Sequence, residues 1–433
     1  MLKNQSCCFI LEMMIDLEEE QNKKVRALLV GEPGNSLSEL TGLTDTLGLE
    51  AAGKIVLTRL EIQPAYGMGK GKAEEIAEKA KELEADCIIF DFNLEPTKQR
   101  NWEKLAKIPC FDRQEVIIRI FAQRARTKEA VLEVQLARLA YSLPRLGHPY
   151  GDMARQRGGS YGSKGSGETQ LELDQRRVRT IIQKKKKELA LVVKNRETQR
   201  KKRGSIPVPE CALIGYTNAG KSSLLNALTG AETFVENKLF ATLDPLTRRL
   251  NLKDGNGILL TDTVGFISNL PHSLIDAFKS TLSEAKRADL NLIVIDAGDE
   301  NARNHYKTVM QVLEEIDAAE KNSIIVLNKW DSVEEKALDQ AELNMAFPNA
   351  IKVSAKTGIG FDELLNAISE KLLGKDEIYE IPCTATTLLH KIRREGIISE
   401  EKWQDTTVLI KARISGRTKN LCEQYKKADG IIK

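Results

Sequence analysis

Residues 215–222 read Gly215-Tyr216-Thr217-Asn218-Ala219-Gly220-Lys221-Ser222, and this stretch decides the fold of the segment around it. It matches the pattern GxxxxGKS, whose glycines let the chain curl so that backbone N–H groups point at phosphate oxygens. The apolar residues 212–214 before it predict a strand, and residues 223–228 after it predict a helix. In this strand–loop–helix context, we predict that Lys221 contacts the β- and γ-phosphates of a nucleotide and that the Ser222 hydroxyl binds Mg²⁺.

A second motif follows the strand predicted at residues 257–260. It reads Asp262-Thr263-Val264-Gly265 and matches DxxG. Asp262, at the carboxyl end of its strand, can hold Mg²⁺ through a water molecule, and the Gly265 N–H can meet the γ-phosphate. We therefore predict that these residues complete the phosphate and metal site.

Two further motifs predict which base is bound. Residues 328–331 read Asn328-Lys329-Trp330-Asp331 and match NKxD, directly after a predicted strand at 324–327. The Asp331 carboxylate can accept hydrogen bonds from N1–H and from the exocyclic amine of guanine, whereas adenine offers no such pair of donors. Further on, Ser354-Ala355-Lys356 can donate backbone N–H groups to the guanine carbonyl oxygen. Four motifs in this order, each at the end of a predicted strand, indicate a guanine-nucleotide domain.

The segment between the first two motifs reads Phe240-Ala241-Thr242-Leu243-Asp244-Pro245. A mobile loop at this place in GTPases supplies a threonine that closes over Mg²⁺ and the γ-phosphate. We assign this role to Thr242, with Thr247 and Thr233 as the alternatives. The predicted catalytic residues are thus Lys221, Thr242 and Gly265, and residues 240–244 are predicted to contact the nucleotide.

The residue after DxxG is Phe266, where GTPases of the Ras type have a glutamine that orients the attacking water. A phenyl ring cannot form a hydrogen bond to that water. Another group must therefore position it, and we expect slow intrinsic hydrolysis that a partner stimulates.

The whole chain is predicted to be α/β, because short apolar strands alternate with helical patterns. In the N-terminal part, the sequence predicts a strand at 55–62, a helix opened by a capping box of Ser36 and Glu39, and a helical run at 116–143. The glycine- and lysine-rich turn at 66–72 is a candidate phosphate or RNA site, although many such turns are only turns. We predict an N-terminal extension (1–24), a parallel α/β domain running into the first helix of a hairpin (25–145), a glycine-rich loop with a basic second hairpin helix (146–204), a GTPase domain of mostly parallel sheet (205–374) and a small α+β domain of order βαβα (375–433).

Composition excludes several classes of protein. With 41% apolar and 29% charged residues, the 433-residue chain is neither disordered, collagenous nor a disulfide-rich secreted scaffold. No apolar run approaches the ~20 residues that span a bilayer. Seven cysteines without a CxxC pair, and four histidines without an HExxH pattern, argue against a zinc site and fit a reducing cytoplasm.

Charge is distributed unevenly. Between residues 144 and 204 there are 17 Lys and Arg against six Asp and Glu, a local excess of 11, whereas the whole chain carries only +3. This block suggests a polyanionic partner; the alternatives are a solvated helix face or a linker between domains. Its candidate RNA-binding residues are Arg155, Arg157, Lys164, Lys184, Lys185, Lys186 and Lys187.

The sequence resembles the HflX family of translation-linked GTPases over residues 25–430. The resemblance rests on the phosphate loop, on residues 240–245, on residues 262–266 with Phe266 after DxxG, and on the N-terminal stretches 69–72 (GKGK), 121–125 (FAQRA) and 165–172 (GSGETQLE). The family pattern most often has proline in the middle of GxG, where this chain has Ser166.

Membership of that family implies binding to the large ribosomal subunit and GTP-linked splitting of stalled or idle ribosomes. The hairpin loop would then approach the peptidyl-transferase region, which suits a basic block. Alternatives are a ribosome-assembly GTPase and a GTP switch that acts on a protein or membrane effector without RNA. An ATPase or small-molecule kinase is disfavoured by Asp331. We expect a cytoplasmic monomer that uses Mg²⁺ and GTP, with peripheral membrane association open.

Overall fold

A computed structural model of the chain describes residues 24–59, 63–146, 170–203, 208–230, 239–252, 257–268, 284–319, 322–333, 336–374, 377–414 and 416–427. The chain divides into two compact units. The first contains residues 1–204, 236–244 and 269–281, and the second contains residues 205–235, 245–268 and 282–433. Residues 1–23 and the hairpin loop with Arg155, Arg157 and Lys164 lie outside the described residues.

The first unit is built on a four-stranded parallel sheet of order β2-β1-β3-β4. Its elements are β1 (Arg26–Gly31), α1 (Ser38–Thr46), β2 (Glu50–Val56), α2 (Lys70–Glu82), β3 (Cys87–Phe90), α3 (Pro96–Ala106), β4 (Cys110–Asp112), α4 (Arg113–Arg124), α5 (Lys128–Ser142) and α6 (Gln170–Arg203). The parallel α/β prediction for this region is confirmed. Its core includes Leu28, Ile88, Phe90 and Trp102, all fully buried.

The structure differs from the sequence-based expectations for this unit at four places. The second strand is Glu50–Val56, not 55–62, and the helical run at 116–143 is two helices separated by residues 125–127. The strand β4 was not predicted. The capping box is also absent, because α1 begins at Ser38 and its N-cap Leu37 has a left-handed backbone with no side-chain cap.

Asp112 joins the sheet to the helices that follow it. Its carboxylate accepts the Glu115 N–H at 3.0 Å and so caps α4. The same carboxylate accepts hydrogen bonds from the Tyr141 hydroxyl at 2.9 Å and from Arg145 at 2.9 Å. These contacts fix the end of α5 against β4. The predicted helical pair is confirmed, since α5 packs on α6 through the ion pair of Glu129 with Arg196 at 2.9 Å.

The second unit contains a six-stranded sheet of order β10-β9-β8-β5-β7-β6, in which only β6 is antiparallel. Its elements are β5 (Glu210–Gly215), α7 (Lys221–Thr229), β6 (Leu246–Asn251), β7 (Gly257–Asp262), β8 (Leu290–Asp296), α8 (Ala302–Glu315), β9 (Ser323–Asn328), α9 (Ala337–Ala346), β10 (Ile351–Lys352) and α10 (Phe361–Leu373). The predicted, mostly parallel GTPase-type sheet is confirmed.

The C-terminal part of this unit is a three-stranded antiparallel sheet of order β11-β13-β12. It comprises β11 (Glu377–Pro382), α11 (Thr386–Glu395), β12 (Ile397–Trp403), β13 (Thr407–Arg413) and α12 (Gly416–Cys422). The predicted order βαβα was wrong, because it lacks β12.

Candidate functional site

The phosphate loop lies between β5 and α7, in the predicted strand–loop–helix context. Two of its glycines are required by close packing. A Cβ on Gly215 would lie 2.2 Å from the Val294 carbonyl oxygen, and a Cβ on Gly220 would lie 2.3 Å from the Asn328 amide nitrogen. Gly220 also has a φ of +84°, which disfavours any other residue. The loop is therefore held closely against β8 and the end of β9.

Lys221 is the first residue of α7 and is 6% exposed. Its ammonium donates to the carbonyl oxygens of Gly215 at 3.1 Å and Tyr216 at 2.8 Å. Burial lowers the pKa of Lys221 to about 8, although the charge of Asp262 opposes this effect. A phosphate group would supply the negative charge that favours the ammonium form at this buried position.

Ser222 and Asp262 form an oxygen-rich pair at the ends of α7 and β7. The Ser222 hydroxyl donates to Asp262 Oδ2 at 2.6 Å, and Asp262 is fully buried. A hydroxyl oxygen and a carboxylate are ligands of the type that Mg²⁺ prefers. The donor set thus fits the metal predicted here. The next residue, Thr263, is linked to β5, since its hydroxyl donates to the Leu213 carbonyl oxygen at 2.6 Å.

The segment after Asp262 lies directly on the phosphate loop. A Cβ on Gly265 would lie 2.9 Å from Thr217 Cα and 3.0 Å from Lys221 Nζ, so only glycine fits without displacement. Val264 and Phe266 on either side are buried. The Phe266 ring, 2% exposed, is packed within the protein in this structure.

Asn328 ties the base-recognition motifs to the phosphate loop. Its amide donates to the Ala219 carbonyl oxygen at 2.9 Å, and its side-chain oxygen accepts the Ala355 N–H at 3.1 Å. Asp331 follows in a short 3-10 helix, and its Oδ1 accepts the Ser354 hydroxyl at 2.7 Å. The structure therefore brings together residues of the first, third and fourth motifs, as the sequence predicts for a guanine site. Lys356 is exposed, and the Trp330 N–H is bonded to the Val353 carbonyl oxygen at 3.1 Å.

Asp296 lies in the candidate site but was not predicted from the sequence. It ends β8, and its Oδ2 accepts the Lys329 ammonium at 2.6 Å. This contact orients Lys329, whose backbone is left-handed with a φ of 59°. The position of Asp296 at the carboxyl end of a central parallel strand is the signal that could have indicated it.

Residues 239–244, which include the predicted Thr242, belong to the first compact unit. Phe240 is 2% exposed, and its ring packs edge-to-face on Phe121 of α4 at 4.6 Å between centroids. Asp244 accepts the backbone N–H groups of Arg126 at 2.9 Å and Thr127 at 3.1 Å, at the N-terminus of α5. In this structure the Asp244 carboxylate thus binds a helix N-terminus. The predicted nucleotide contacts of residues 240–244 remain predictions.

The predicted RNA-binding lysines 184–187 lie within α6. Lys184, Lys186 and Lys187 are exposed, and Lys185 is half-buried beside Glu188, with an N–O distance of 3.7 Å. In the glycine-rich turn at 66–72, Lys70 and Lys72 each form an ion pair with a glutamate of their own helix. The α6 lysines are therefore the stronger candidates for contact with a polyanion.

Three protein-family models match the chain in succession. They are described as "GTP-binding GTPase N-terminal" at residues 34–122, "GTP-binding GTPase Middle Region" at 124–203 and "50S ribosome-binding GTPase" at 210–329. A protein of Akkermansia muciniphila named GTPase HflX is 41% identical over 420 residues, which cover 92% of this chain and 96% of that protein. The chain belongs to the HflX family of GTPases.

Two other HflX proteins are also similar to this chain. The GTPase HflX of Caldanaerobacter subterraneus is 40% identical and covers 94% of this chain and 95% of its own. That of Escherichia coli is 44% identical, with coverage of 78% and 79%. Among solved structures, a GTP-binding protein of Sulfolobus solfataricus in complex with GDP aligns over 81% of this chain and 98% of its own at 23% identity, with a TM-score of 0.43.

As a member of the HflX family, the chain is a GTP-binding GTPase. That its four motifs bind the nucleotide stays a prediction. The expected α/β class and the expected family are both confirmed. In the part of the chain that the structure describes, no helix has both the length and the apolar character needed to cross a membrane.

Proposed function

We propose that this HflX-family GTPase binds the large ribosomal subunit and uses GTP hydrolysis to split or rescue stalled or idle ribosomes. The observation that carries the proposal is the match of residues 210–329 to the family model described as "50S ribosome-binding GTPase". The exposed lysines of α6 support it, because a row of positive charge suits the phosphates of ribosomal RNA.

The residues of the nucleotide site divide the work of hydrolysis. Lys221 and the N–H groups of the phosphate loop bind the phosphates, and Asp331 recognises guanine. Ser222 and Thr242 would hold Mg²⁺, with Asp262 acting through water. Mg²⁺, when bound, neutralises charge that develops on the phosphate oxygens. Gly265 offers its N–H to the γ-phosphate.

The basic helix α6 is the proposed anchor on ribosomal RNA, together with Arg155, Arg157 and Lys164 of the hairpin loop. Such binding depends mainly on contacts with RNA phosphates and on the shape of the RNA. Its affinity therefore falls as the salt concentration rises. We propose that the protein acts in the cytoplasm, because its proposed partner is the ribosome. We also propose that it acts as a monomer.

The decisive experiment measures GTP hydrolysis with and without purified large subunits, and follows the same mixtures by sedimentation. We expect the protein to sediment with large subunits and its hydrolysis to rise with their concentration. Small subunits at equal concentration serve as the control. Absence of both sedimentation and stimulation would contradict ribosome binding and favour a switch acting on a protein effector.

A second measurement separates ribosome splitting from ribosome assembly. Intact ribosomes mixed with the protein and GTP should yield separate subunits on a density gradient. The Asp331→Asn variant serves as the matched control, because it should be defective in GTP binding. Binding to immature subunits alone, with intact ribosomes left unsplit, would favour the assembly role.

A further inference from the structure

Tyr216, the second residue of the phosphate loop, is bound to the segment that follows DxxG. The Tyr216 hydroxyl lies 2.6 Å from the Ser268 hydroxyl, and it also accepts the Ser268 N–H at 2.6 Å. Tyr216 is 7% exposed, and both hydrogen bonds are partly buried. One side chain of the phosphate loop thus holds the third residue beyond Gly265.

The backbone on either side of this contact is also paired. The Phe266 N–H donates to the Gly215 carbonyl oxygen at 3.1 Å, and the Thr217 N–H donates to the Phe266 carbonyl oxygen at 2.7 Å. Tyr216 and Phe266 consequently form a parallel β-bridge outside the regular strands. Residues 266–268 therefore lie in a fixed register against the phosphate loop.

The Tyr216 ring is stacked on His305 of α8. Their centroids are 3.7 Å apart and their planes differ by 11°. His305 is in turn oriented by Asp299, whose Oδ2 lies 3.0 Å from its Nδ1. The hydrogen bond from His305 lowers the pKa of Asp299, and the Asn301 N–H donates to the same carboxylate at 2.8 Å. The ring of Tyr216 is thus held from one side while its hydroxyl holds Ser268.

We propose that Tyr216 is a positioning residue for GTP hydrolysis, fixing residues 266–268 where a GTPase of the Ras type relies on its glutamine. The Phe266 side chain cannot form a hydrogen bond to the attacking water. The backbone after Gly265 must therefore be held in place if its groups are to take part in hydrolysis. A fixed backbone lowers the reorganisation needed in the transition state. Tyr216 acts through this segment and need not touch the reacting atoms.

The test is the Tyr216→Phe variant of the full chain, which keeps the ring and its stack on His305 and removes only the hydroxyl. We expect kcat to fall about tenfold or more, because the variant loses both hydrogen bonds that hold Ser268. KM for GTP and the affinity for GDP should stay within about twofold of the parent. This split between kcat and KM distinguishes positioning from a loss of nucleotide binding.

Tyr306→Phe is the matched control, since Tyr306 is the neighbour of His305 on α8 and packs on Phe347 at 5.4 Å between ring centroids. This control removes a hydroxyl from α8, the helix that contains His305, and should leave kcat unchanged. Ser268→Ala removes one of the two hydrogen bonds and should lower kcat less than Tyr216→Phe. The double variant should match Tyr216→Phe alone, because both act through one contact.

Hydrogen exchange supplies a second readout that does not depend on activity. The backbone N–H groups of Phe266 and Ser268 should exchange faster in Tyr216→Phe than in Tyr306→Phe. An unchanged or raised kcat in Tyr216→Phe would overturn the proposal. So would additive effects of Tyr216→Phe and Ser268→Ala, or a loss of GDP affinity equal to the loss of kcat. Because basal hydrolysis is measured, failure here leaves the ribosomal role untouched.

Discussion

The Ser354 hydroxyl donates to Asp331 Oδ1 at 2.7 Å, which joins the third and fourth motifs of the candidate nucleotide site. Ser354 is fully buried, so the hydrogen bond fixes one oxygen of the carboxylate from the protein side. The orientation of Asp331 is therefore set before any base arrives. A preorganised acceptor discriminates strongly among ligands, because the wrong base leaves polar groups without partners.

Asp331→Asn should lower GTP affinity at least tenfold. The amide places a donor against a guanine donor, and each mismatched polar group costs about 1–3 kcal/mol. Affinity for xanthosine triphosphate should rise relative to GTP. Equilibrium binding of both nucleotides checks this, with Asp339→Asn on the exposed side of α9 as the control. Unchanged GTP affinity in Asp331→Asn would contradict the assignment of guanine recognition to this residue.

Lys221→Ala should abolish tight nucleotide binding, since it removes the buried cation that we predict to contact the phosphates. Ser222→Ala and Thr242→Ala should retain more binding and lose Mg²⁺-dependent turnover. Nucleotide affinity and hydrolysis are measured over a titration of Mg²⁺. If Thr242→Ala keeps the parental response to Mg²⁺, the assignment passes to Thr247 or Thr233.

Phe266→Ala should not abolish basal hydrolysis. The ring cannot orient water, and the backbone bonds of residue 266 to Gly215 and Thr217 persist when the side chain is shortened. The basal rate of the parent should lie within about tenfold of the intrinsic Ras rate of ~10⁻⁴ s⁻¹. Single-turnover hydrolysis measures both. A large basal loss in Phe266→Ala would show that the ring itself has a direct role.

Replacement of Lys184–Lys187 by glutamine should weaken binding to the large subunit steeply at physiological salt. For each RNA phosphate that is no longer neutralised by a lysine, the slope of log affinity against log salt should fall by somewhat under one. GTP affinity of the free protein should not change, because the four nucleotide motifs belong to the other compact unit. Changing Arg155 and Arg157 as well should strengthen the effect.

The matched control for that variant replaces four exposed lysines outside α6, namely Lys79, Lys81, Lys104 and Lys107. It removes the same charge from α2, α3 and the residue after α3. Sedimentation across a salt titration compares the two variants. Equal ribosome binding by the α6 variant and the parent would rule out α6 as the anchor, and the turn at 66–72 or the C-terminal part would be tested next.

Glu377 should make the C-terminal sheet sensitive to acid. Partial burial would raise the pKa of this carboxyl, but hydrogen bonds from Lys426 and Tyr379 and the charges of Lys419 and Lys426 together lower it to about 2. A pKa that folding lowers contributes stability above the unfolded value, near 4.5, and this contribution is lost as pH falls towards 2. Glu377→Gln should thus destabilise the protein at about pH 7 and make little difference near pH 2, as measured by hydrogen exchange of β11 and β13.

The positions of the four motifs at the ends of strands could be predicted from the sequence, because each motif is a short local pattern. Each one needs particular residues close together in the chain, as at Gly215–Ser222. The contact of Asp244 with Thr127 carries no such signal, since the two residues are 117 positions apart. Long-range partners of this kind follow from the tertiary fold and not from spacing.

The missed strand β12 has a physical explanation. Its sequence from Ile397 to Trp403 includes the polar run Ser399 to Lys402, and its register with β13 shifts between Ile398 and Glu400. A bulge of this kind interrupts the alternation of apolar and polar residues that identifies a strand. The strand β2 was misplaced because its first residues include two alanines and a glycine, which are poor strand formers.

The burial of Phe240 and Leu243 limits how the chain can be divided. Both side chains are 2% exposed, and Phe240 packs on Phe121 of α4. A fragment cut at residues 205 and 374 would keep all four nucleotide motifs but leave α4 behind. It would then present an aromatic ring to solvent, together with an Asp244 carboxylate deprived of its helix. Hydrolysis rates taken from such a fragment would describe a loop released from its normal support, and they would not measure the activity of the intact protein.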